Sequence, residues 1–399
     1  MKKTLFKLFA LALVLTLANA CNDALVTDDV DESIELKSAS SAQKSYIVVL
    51  QDSDLESELA TLKGYEKKQV AVKSASEKIL KRAGISDSEI TFTYGTAVKG
   101  FAVKMAPGQM KKLENDPSVK YIDEDQVITL VQPDIKIKTK PAPVPTAQTT
   151  PWGIARVNGG ITYTGSNKIW IIDTGIDLDH PDLNVDLVNG WNFVAGTQVA
   201  DDDNGHGSHC AGIAAAKDNS EGVIGVAAGA TVVPVKVLNK RGSGSYSAII
   251  AGVDWVADHA AVGDVANMSL GGGYDATLNS AVETAASLKI NFSLAAGNES
   301  TDANTKSPAS ANGTYIYTIS ASDINDNWAY FSNYGNPPVD FCEPGYSIYS
   351  TYKGGSYTTM SGTSMAAPHA AGLLLLGSIN NGGTVNGDPD GNPDIIGVH

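Results

Sequence analysis

What this chain has little of narrows the reading first. Its three cysteines, Cys21, Cys210 and Cys342, are too few and too widely spread across 399 residues for a disulfide scaffold or a Cys-rich zinc site. The sequence leaves open one pair, Cys210 with Cys342. Long apolar runs are also missing. The longest, from Leu8 to Ala18, has eleven residues and is too short for an ordinary transmembrane helix. Positive charge is scarce in one part: beyond residue 146, nine Lys+Arg stand against 24 Asp+Glu, so the whole net charge of −15 lies there. Phosphate contacts need clustered cations, so this part argues against nucleic-acid or anionic-membrane binding, while remaining compatible with cation binding.

The N-terminus is basic, then apolar. Lys2, Lys3 and Lys7 precede the Leu8–Ala18 run, and Asn19-Ala20-Cys21 follows it, the pattern of a secretory signal peptide over residues 1–20. Cys21 directly after Ala20 also fits a bacterial lipoprotein acylated at that cysteine. A free extracellular location and an outer-membrane lipid anchor both stay open. Residues 21–43 are acidic and serine-rich with little apolar content, which predicts a flexible tether. Between 44 and 130, an apolar strand at 46–50 is followed by amphipathic helices near 54–63 and 66–82. Strands near 90–95 and 98–105, a helix near 107–115 and a strand near 119–123 complete a small α+β unit. Residues 131–146 carry Pro133, Pro141, Pro143 and Pro145 and read as an extended linker.

From residue 147 the composition turns to Gly, Ala, Val and Ser. Apolar strands such as 168–172 and 232–238 alternate with Ala-rich helical stretches, which predicts an α/β domain over 147–399 with a mostly parallel sheet flanked by helices. Functional groups of such sheets gather at the carboxyl ends of strands. Asp173 follows one strand, Asn298 another. His206 opens an Ala-rich helix, and Ser364 stands where small residues lead into a narrow apolar helix. Singly these are a turn aspartate, a loop asparagine, a helix-start histidine or zinc ligand, and an N-cap serine.

Together, however, Ile172-Asp173-Thr174-Gly175-Ile176-Asp177, His206-Gly207-Ser208-His209-Cys210-Ala211-Gly212, Asn267-Met268-Ser269-Leu270-Gly271-Gly272, Ala295-Ala296-Gly297-Asn298 and Gly362-Thr363-Ser364-Met365-Ala366-Ala367-Pro368-His369 resemble the subtilisin-like serine proteases, with a proteinase K flavour. The resemblance implies that Ser364 is the nucleophile, His206 the proton carrier, Asp173 its partner and Asn298 an oxyanion donor. It implies a broad endopeptidase acting on protein or peptide substrates, with apolar or aromatic side chains preferred at the cut. Gly242, Ser243, Gly244 and Ser269, Leu270, Gly271 would pair with an extended substrate, and Tyr246 would wall a pocket. Residues 44–130 would be an inhibitory propeptide, cut off between Thr146 and Ala147.

The resemblance further implies structural Ca²⁺ and no organic cofactor. Gln148, Asp182 and Asn219 would give side-chain oxygens, Lys217, Glu221 and Val223 carbonyls, and Asp340 would serve a second ion. Release of the new N-terminus would let Gln148 reach the first site. Thirty-five residues follow Ser364; their Gly/Asn/Asp-rich stretch, with Asp388, Asp390, Asn392 and Asp394, reads as a solvated tail in place of the family's closing helix. A monomer is expected. Two other readings share the chemistry: a catalytically silent peptide-binding relative, which should have lost one of Asp173, His206, Asn298 and Ser364, and an esterase, which needs neither an extended groove nor a propeptide.

Overall fold

Alternation along one short strand organises the N-terminal region. The computed structural model describes residues 43–131, 133 and 147–399; the leader, Cys21, the tether up to residue 42, and residues 132 and 134–146 of the linker lie outside the described residues. Side chains of a strand alternate between its two faces. Tyr46, Val48 and Leu50 of the Lys44–Leu50 strand pack with Val72, Ile79, Leu80, Phe101, Val103 and Leu113 in a core of the region's own. Ile47 and Val49 point the other way and join a core with residues of the Tyr246–His259 helix. The sheet is antiparallel, ordered Ser88–Tyr94, Gly100–Met105, Lys44–Leu50, Val119–Glu124. Helices Ser53–Thr61, Tyr65–Arg82 and Pro107–Glu114 lie near the expected positions. Asp52 caps the first by accepting the N–H groups of Asp54 and Leu55 at 3.0 and 3.1 Å, which answers two of the donors a helix start leaves unpaired.

The larger sheet has ten strands among the described residues. Its central order is Val339–Pro344, Ile316–Ser322, Asn291–Ala295, Val265–Met268, Ile169–Asp173, Thr231–Lys236, all parallel. Ile169–Asp173 is buried along its whole length, as expected of a strand covered on both faces. The chain leaves this strand to Thr231–Lys236 on one side and later to Val265–Met268 on the other, so the switch point lies at the end of Asp173.

The tail differs from the expected solvated segment. Asn380–Thr384 and Ile395–Val398 form a hairpin, and the second strand runs parallel to Val339–Pro344 with Ile396 opposite Cys342. The apolar residues Ile395, Ile396 and Val398 carry that strand. Ile396, Val385 and Cys342 share a small core, and Asp394, nearly buried, accepts the Ser320 hydroxyl at 2.6 Å. Cys210 and Cys342 are both free and buried, so the open pairing does not form. No helix among the described residues is long and apolar enough to cross a membrane.

Candidate active site

A network of short polar contacts ties the helix His206–Ala215 to the end of the central strand Ile169–Asp173. Thr174 Oγ1 donates to Asp202 at 2.9 Å and accepts the Gly207 N–H at 2.9 Å. Asp202 also accepts the N–H groups of Asn204, Gly205 and Ser208 and the Ser208 hydroxyl. The approach is close enough that a Cβ on Gly207 would lie 2.1 Å from the Gly175 carbonyl oxygen. The helix His206–Ala215 therefore begins directly over Asp173. His206 Nδ1 lies 2.8 and 2.9 Å from the two Asp173 carboxylate oxygens, and both side chains are buried. Burial alone disfavours the imidazolium, but the adjacent Asp173 charge holds His206 well above the usual histidine range. Cys210, one turn on, has its sulfur 4.0 Å from His206 Nδ1 and donates to the Ser364 carbonyl; burial pushes its thiol up.

Ser364 is the second residue of the helix Thr363–Leu376, which packs deep in the domain. Its hydroxyl donates to the Ser269 carbonyl at 3.1 Å, while His206 Nε2 is buried without a partner. Ser269 returns a bond from its own hydroxyl to the Ser364 carbonyl at 2.8 Å. Asn298 is oriented by Thr363, a residue with no functional signal of its own in the sequence. Thr363 donates both its N–H, at 2.8 Å, and its hydroxyl, at 3.0 Å, to Asn298 Oδ1. That fixes which end of the amide faces the cleft: Nδ2.

The cleft holds part of this same chain. Val127–Thr129 adds to Ser243–Ser245 as an antiparallel strand, Thr129 opposite Ser243 and Ile128 opposite Gly244, and Leu130 N–H continues to the Gly242 carbonyl at 2.9 Å. Next comes Val131, whose carbonyl accepts the Asn298 Nδ2 donor at 2.9 Å. Leu270, Gly271, Gly272, Ala295, Ala296 and Ser364 line the cleft with Leu130 and Val131. Ile128 fills the space where a Cβ on Gly272 would come within 2.4 Å of it, beside Tyr246, itself buried and bonded to the Gly273 carbonyl. Of the two groove segments expected, 242–244 forms ladder bonds with the occupant; Ser269, Leu270 and Gly271 sit at its side, Leu270 and Gly271 as cleft wall and Ser269 as the partner of Ser364. Glu299 and Lys306, not anticipated from sequence, also line the cleft and form an ion pair at 3.1 Å.

The docking of the N-terminal region uses further residues outside the motifs. Asp254, fully buried, accepts the N–H groups of Gly95, Thr96 and Ala97 at 3.1, 2.7 and 2.7 Å, and Gln69 adds a bond at 3.0 Å. Lys68 pairs with Asp258 at 2.6 Å.

The six residues assigned to a first cation converge. Gln148 Nε2 donates to the Lys217 carbonyl at 2.9 Å, Asn219 Nδ2 to Asp182 at 2.7 Å, and Val223 N–H to Asp182 at 2.8 Å, while Glu221 N–H donates to Asn219 Oδ1 at 2.8 Å. Asp182 is fully buried, and its carboxylate is met by neutral donors, the Tyr357 hydroxyl among them. Burial raises its pKa, with the bonds from Val223, Asn219 and Tyr357 opposing. Gln148 is thus already seated in the uncut chain, contrary to the expectation that cleavage must release it. Asp340 is exposed, accepts the Thr318 N–H at 2.9 Å, and that contact alone makes no metal site.

The fold thus brings a buried Asp–His pair, a serine at a helix start and an asparagine amide aimed at a peptide carbonyl to one cleft of the domain. Residues 165–382 match the Subtilase family, and residues 45–131 match the Peptidase inhibitor I9 family. Alkaline serine exoprotease A of Vibrio alginolyticus is 37% identical over 306 residues, 74% of this chain and 54% of that protein. M-protease of Shouchella clausii (strain KSM-K16) is 40% identical over 282 residues, 69% of this chain and 68% of that protein. A cold adapted subtilisin-like serine proteinase of solved structure is 38% identical, with a TM-score of 0.51 over 56% of this chain and 83% of that one. The chain belongs to the subtilase family of serine proteases and carries an inhibitor I9 propeptide. It spans about half the length of the Vibrio relative.

Proposed function

We propose that the chain is an exported endopeptidase of broad specificity, made as a precursor whose N-terminal domain blocks its own cleft. One observation carries the reading: an extended segment lies along 242–245 as an added strand and delivers a peptide carbonyl to the Asn298 amide, the pose required of a substrate. An esterase would have no use for that ladder. A silent relative would not keep the buried Asp173–His206 pair together with Ser364 and Asn298.

In catalysis Ser364 turns from the Ser269 carbonyl toward His206 Nε2, which takes its proton as Oγ attacks the peptide carbon. Asp173 fixes the imidazole tautomer and stabilises the imidazolium. The oxyanion is met by Asn298 Nδ2 and the Ser364 N–H. His206 then protonates the leaving amine, and water releases the acyl group by the reverse sequence. Because ladder bonds to backbone supply affinity, side-chain selection is modest, and Leu270, Ala295, Ala296 and Ala309 in the cleft lining favour an apolar residue at the cut.

Gln148, Asp182, Lys217, Asn219, Glu221 and Val223 offer only oxygen donors to a cation, which suits Ca²⁺. The neutral surroundings of the buried Asp182 carboxylate support that fit. The ion would stabilise the fold without touching the cleft. Export through the 1–20 leader, with or without acylation of Cys21, belongs to the same reading. Purified protein should digest unfolded casein, and a serine-directed inhibitor should stop it; persistent digestion in the inhibitor would overturn Ser364 as nucleophile. Incorporation of labelled fatty acid, lost in Cys21→Ala, tests the anchor.

A further inference from the structure

By resemblance, the maturation cut is expected between Thr146 and Ala147. The occupied cleft points elsewhere: we infer that the precursor cuts itself between Val131 and Gln132, leaving residues 132–146 on the protease as an N-terminal extension. This rests on the protease reading above and names its first substrate bond.

Register fixes the bond. Thr129 faces Ser243, Leu130 N–H reaches Gly242, and the next carbonyl along, that of Val131, is the one on Asn298 Nδ2 at 2.9 Å. A strand slipped by one residue would present Leu130 instead and would turn every side chain to the opposite face. Ile128 would then lose its place against Gly272 and Tyr246. The other end of the linker is engaged at the same time. Gln148 N–H donates to the Ser220 carbonyl at 3.2 Å and its side chain to Lys217, while Thr149 exchanges backbone bonds with Gly222 and Ile224. A cut at 146–147 would require the residue two before Gln148 to occupy the cleft, so Gln148 would have to leave that loop and Val131 the oxyanion position. The match to the inhibitor family stops at the same residue, 131.

The step balances without any partner other than water. Ser364 Oγ bonds to the Val131 carbonyl carbon as its proton passes to His206. The oxyanion collapses, the Val131 C–Gln132 N bond breaks, and His206 gives its proton to the Gln132 nitrogen. Water then hydrolyses the Val131 ester, leaving a Val131 carboxylate in the cleft and restoring the Ser364 hydroxyl. Pro133 is the residue after the leaving Gln132, so its missing N–H does not interfere with proton transfer to the Gln132 nitrogen.

The test is intact-mass analysis of the fragments at the earliest times of processing; a mass readout is needed because an N-terminal glutamine cyclises and resists stepwise sequencing. The released propeptide should end at Val131 and its counterpart should begin at Gln132 or its cyclised form, with any shorter protease appearing later. Gln132→Pro removes the N–H at the leaving nitrogen and should slow appearance of the propeptide roughly a hundredfold or more, whereas Ala147→Pro should leave its rate and end unchanged. Gln132→Pro in a Ser364→Ala background should melt with the Ser364→Ala chain, separating a blocked cut from a misfolded one. A first propeptide ending at Thr146, or sensitivity of the first cut to Ala147→Pro and not to Gln132→Pro, would overturn the inference and leave the protease reading intact. A parent chain that stays whole overturns it as well. Casein digestion by that whole chain would confine the failure to the processing site, and its absence would extend the failure to the protease reading.

Discussion

The two sheets of the precursor differ in where their second face is buried. The large parallel sheet packs against helices of its own domain, and propeptide side chains join the core that holds Trp170, Ile172 and Val235. The propeptide sheet has one face on its own helices and the other on the protease: Tyr46, Val48 and Leu50 look inward, while Ile47, Val49, Tyr94 and Ala102 share a core with Ile249, Val253 and Val256. The propeptide therefore gains much of its order from the domain it blocks, and a single strand carries both relations in alternate residues. Inhibition and folding assistance then have one physical source, the apolar face that would meet water if the two separated.

Substitutions at the chemistry should separate the two regions most sharply. Ser364→Ala should abolish both casein digestion and self-cutting while the precursor folds, and electrophoresis after expression checks it. Digestion at the parental rate would rule out the assigned nucleophile. Asn298→Ala should lower kcat by roughly a hundred- to thousandfold, the scale of an oxyanion donor, with KM changing far less. A rise in KM at constant kcat would make Asn298 a ground-state contact.

The next effect is smaller and tests the alternation itself. Ile47→Ala and Val48→Ala remove adjacent side chains from opposite faces of one strand, and each leaves a cavity worth about 1–4 kcal/mol. Ile47→Ala should shorten the lag between self-cutting and full activity, because the released propeptide grips the protease less firmly. Val48→Ala should chiefly lower the melting temperature of the propeptide region in the Ser364→Ala precursor. Equal effects of the two on both readouts would mean that the faces are not separable.

Much of this was legible because the signals are local. The strand at 46–50 and the helices at 54–63 and 66–82 follow from apolar spacing, and the motif residues Asp173, His206, Asn298 and Ser364 follow from the family resemblance. The tail was misread because abundant Gly, Asn and Asp masked Ile395, Ile396 and Val398, whose pairing with Cys342 is decided by an edge that only the folded sheet supplies. Thr363 was present in a quoted motif, yet its grip on Asn298 joins residues 65 positions apart. Asp254 sits within an apolar helix and is explained only by the N–H groups of residues 95–97 converging on it from another domain. The register of Val127–Thr129 on Ser243–Ser245 is likewise a non-local fact, and a linker of ordinary composition gives no sign of which carbonyl reaches Asn298.

The smallest expected effect concerns Asp182, which belongs wholly to the protease side. Its folded pKa is raised, burial being the leading cause, so between the ordinary carboxyl range and that raised value the native state binds more protons than the unfolded chain. Stability contributed by this group therefore falls as pH rises through that window, the reverse of a salt-bridged carboxylate. A cation bound by Gln148, Asp182 and Asn219 would favour the carboxylate and oppose that fall. In the Ser364→Ala precursor, which cannot digest itself, EDTA should lower the melting temperature by a few degrees at pH 7, and excess calcium should restore it by mass action. Repeating the melts at lower pH should shrink the gap as Asp182 takes up its proton. Asp182→Asn keeps the size of the side chain and removes the charge, so it should melt alike in EDTA and in calcium across the range. An equal calcium response in the Asp182→Asn chain would assign the ion to other residues, and no response in the parent would remove the ion from this loop.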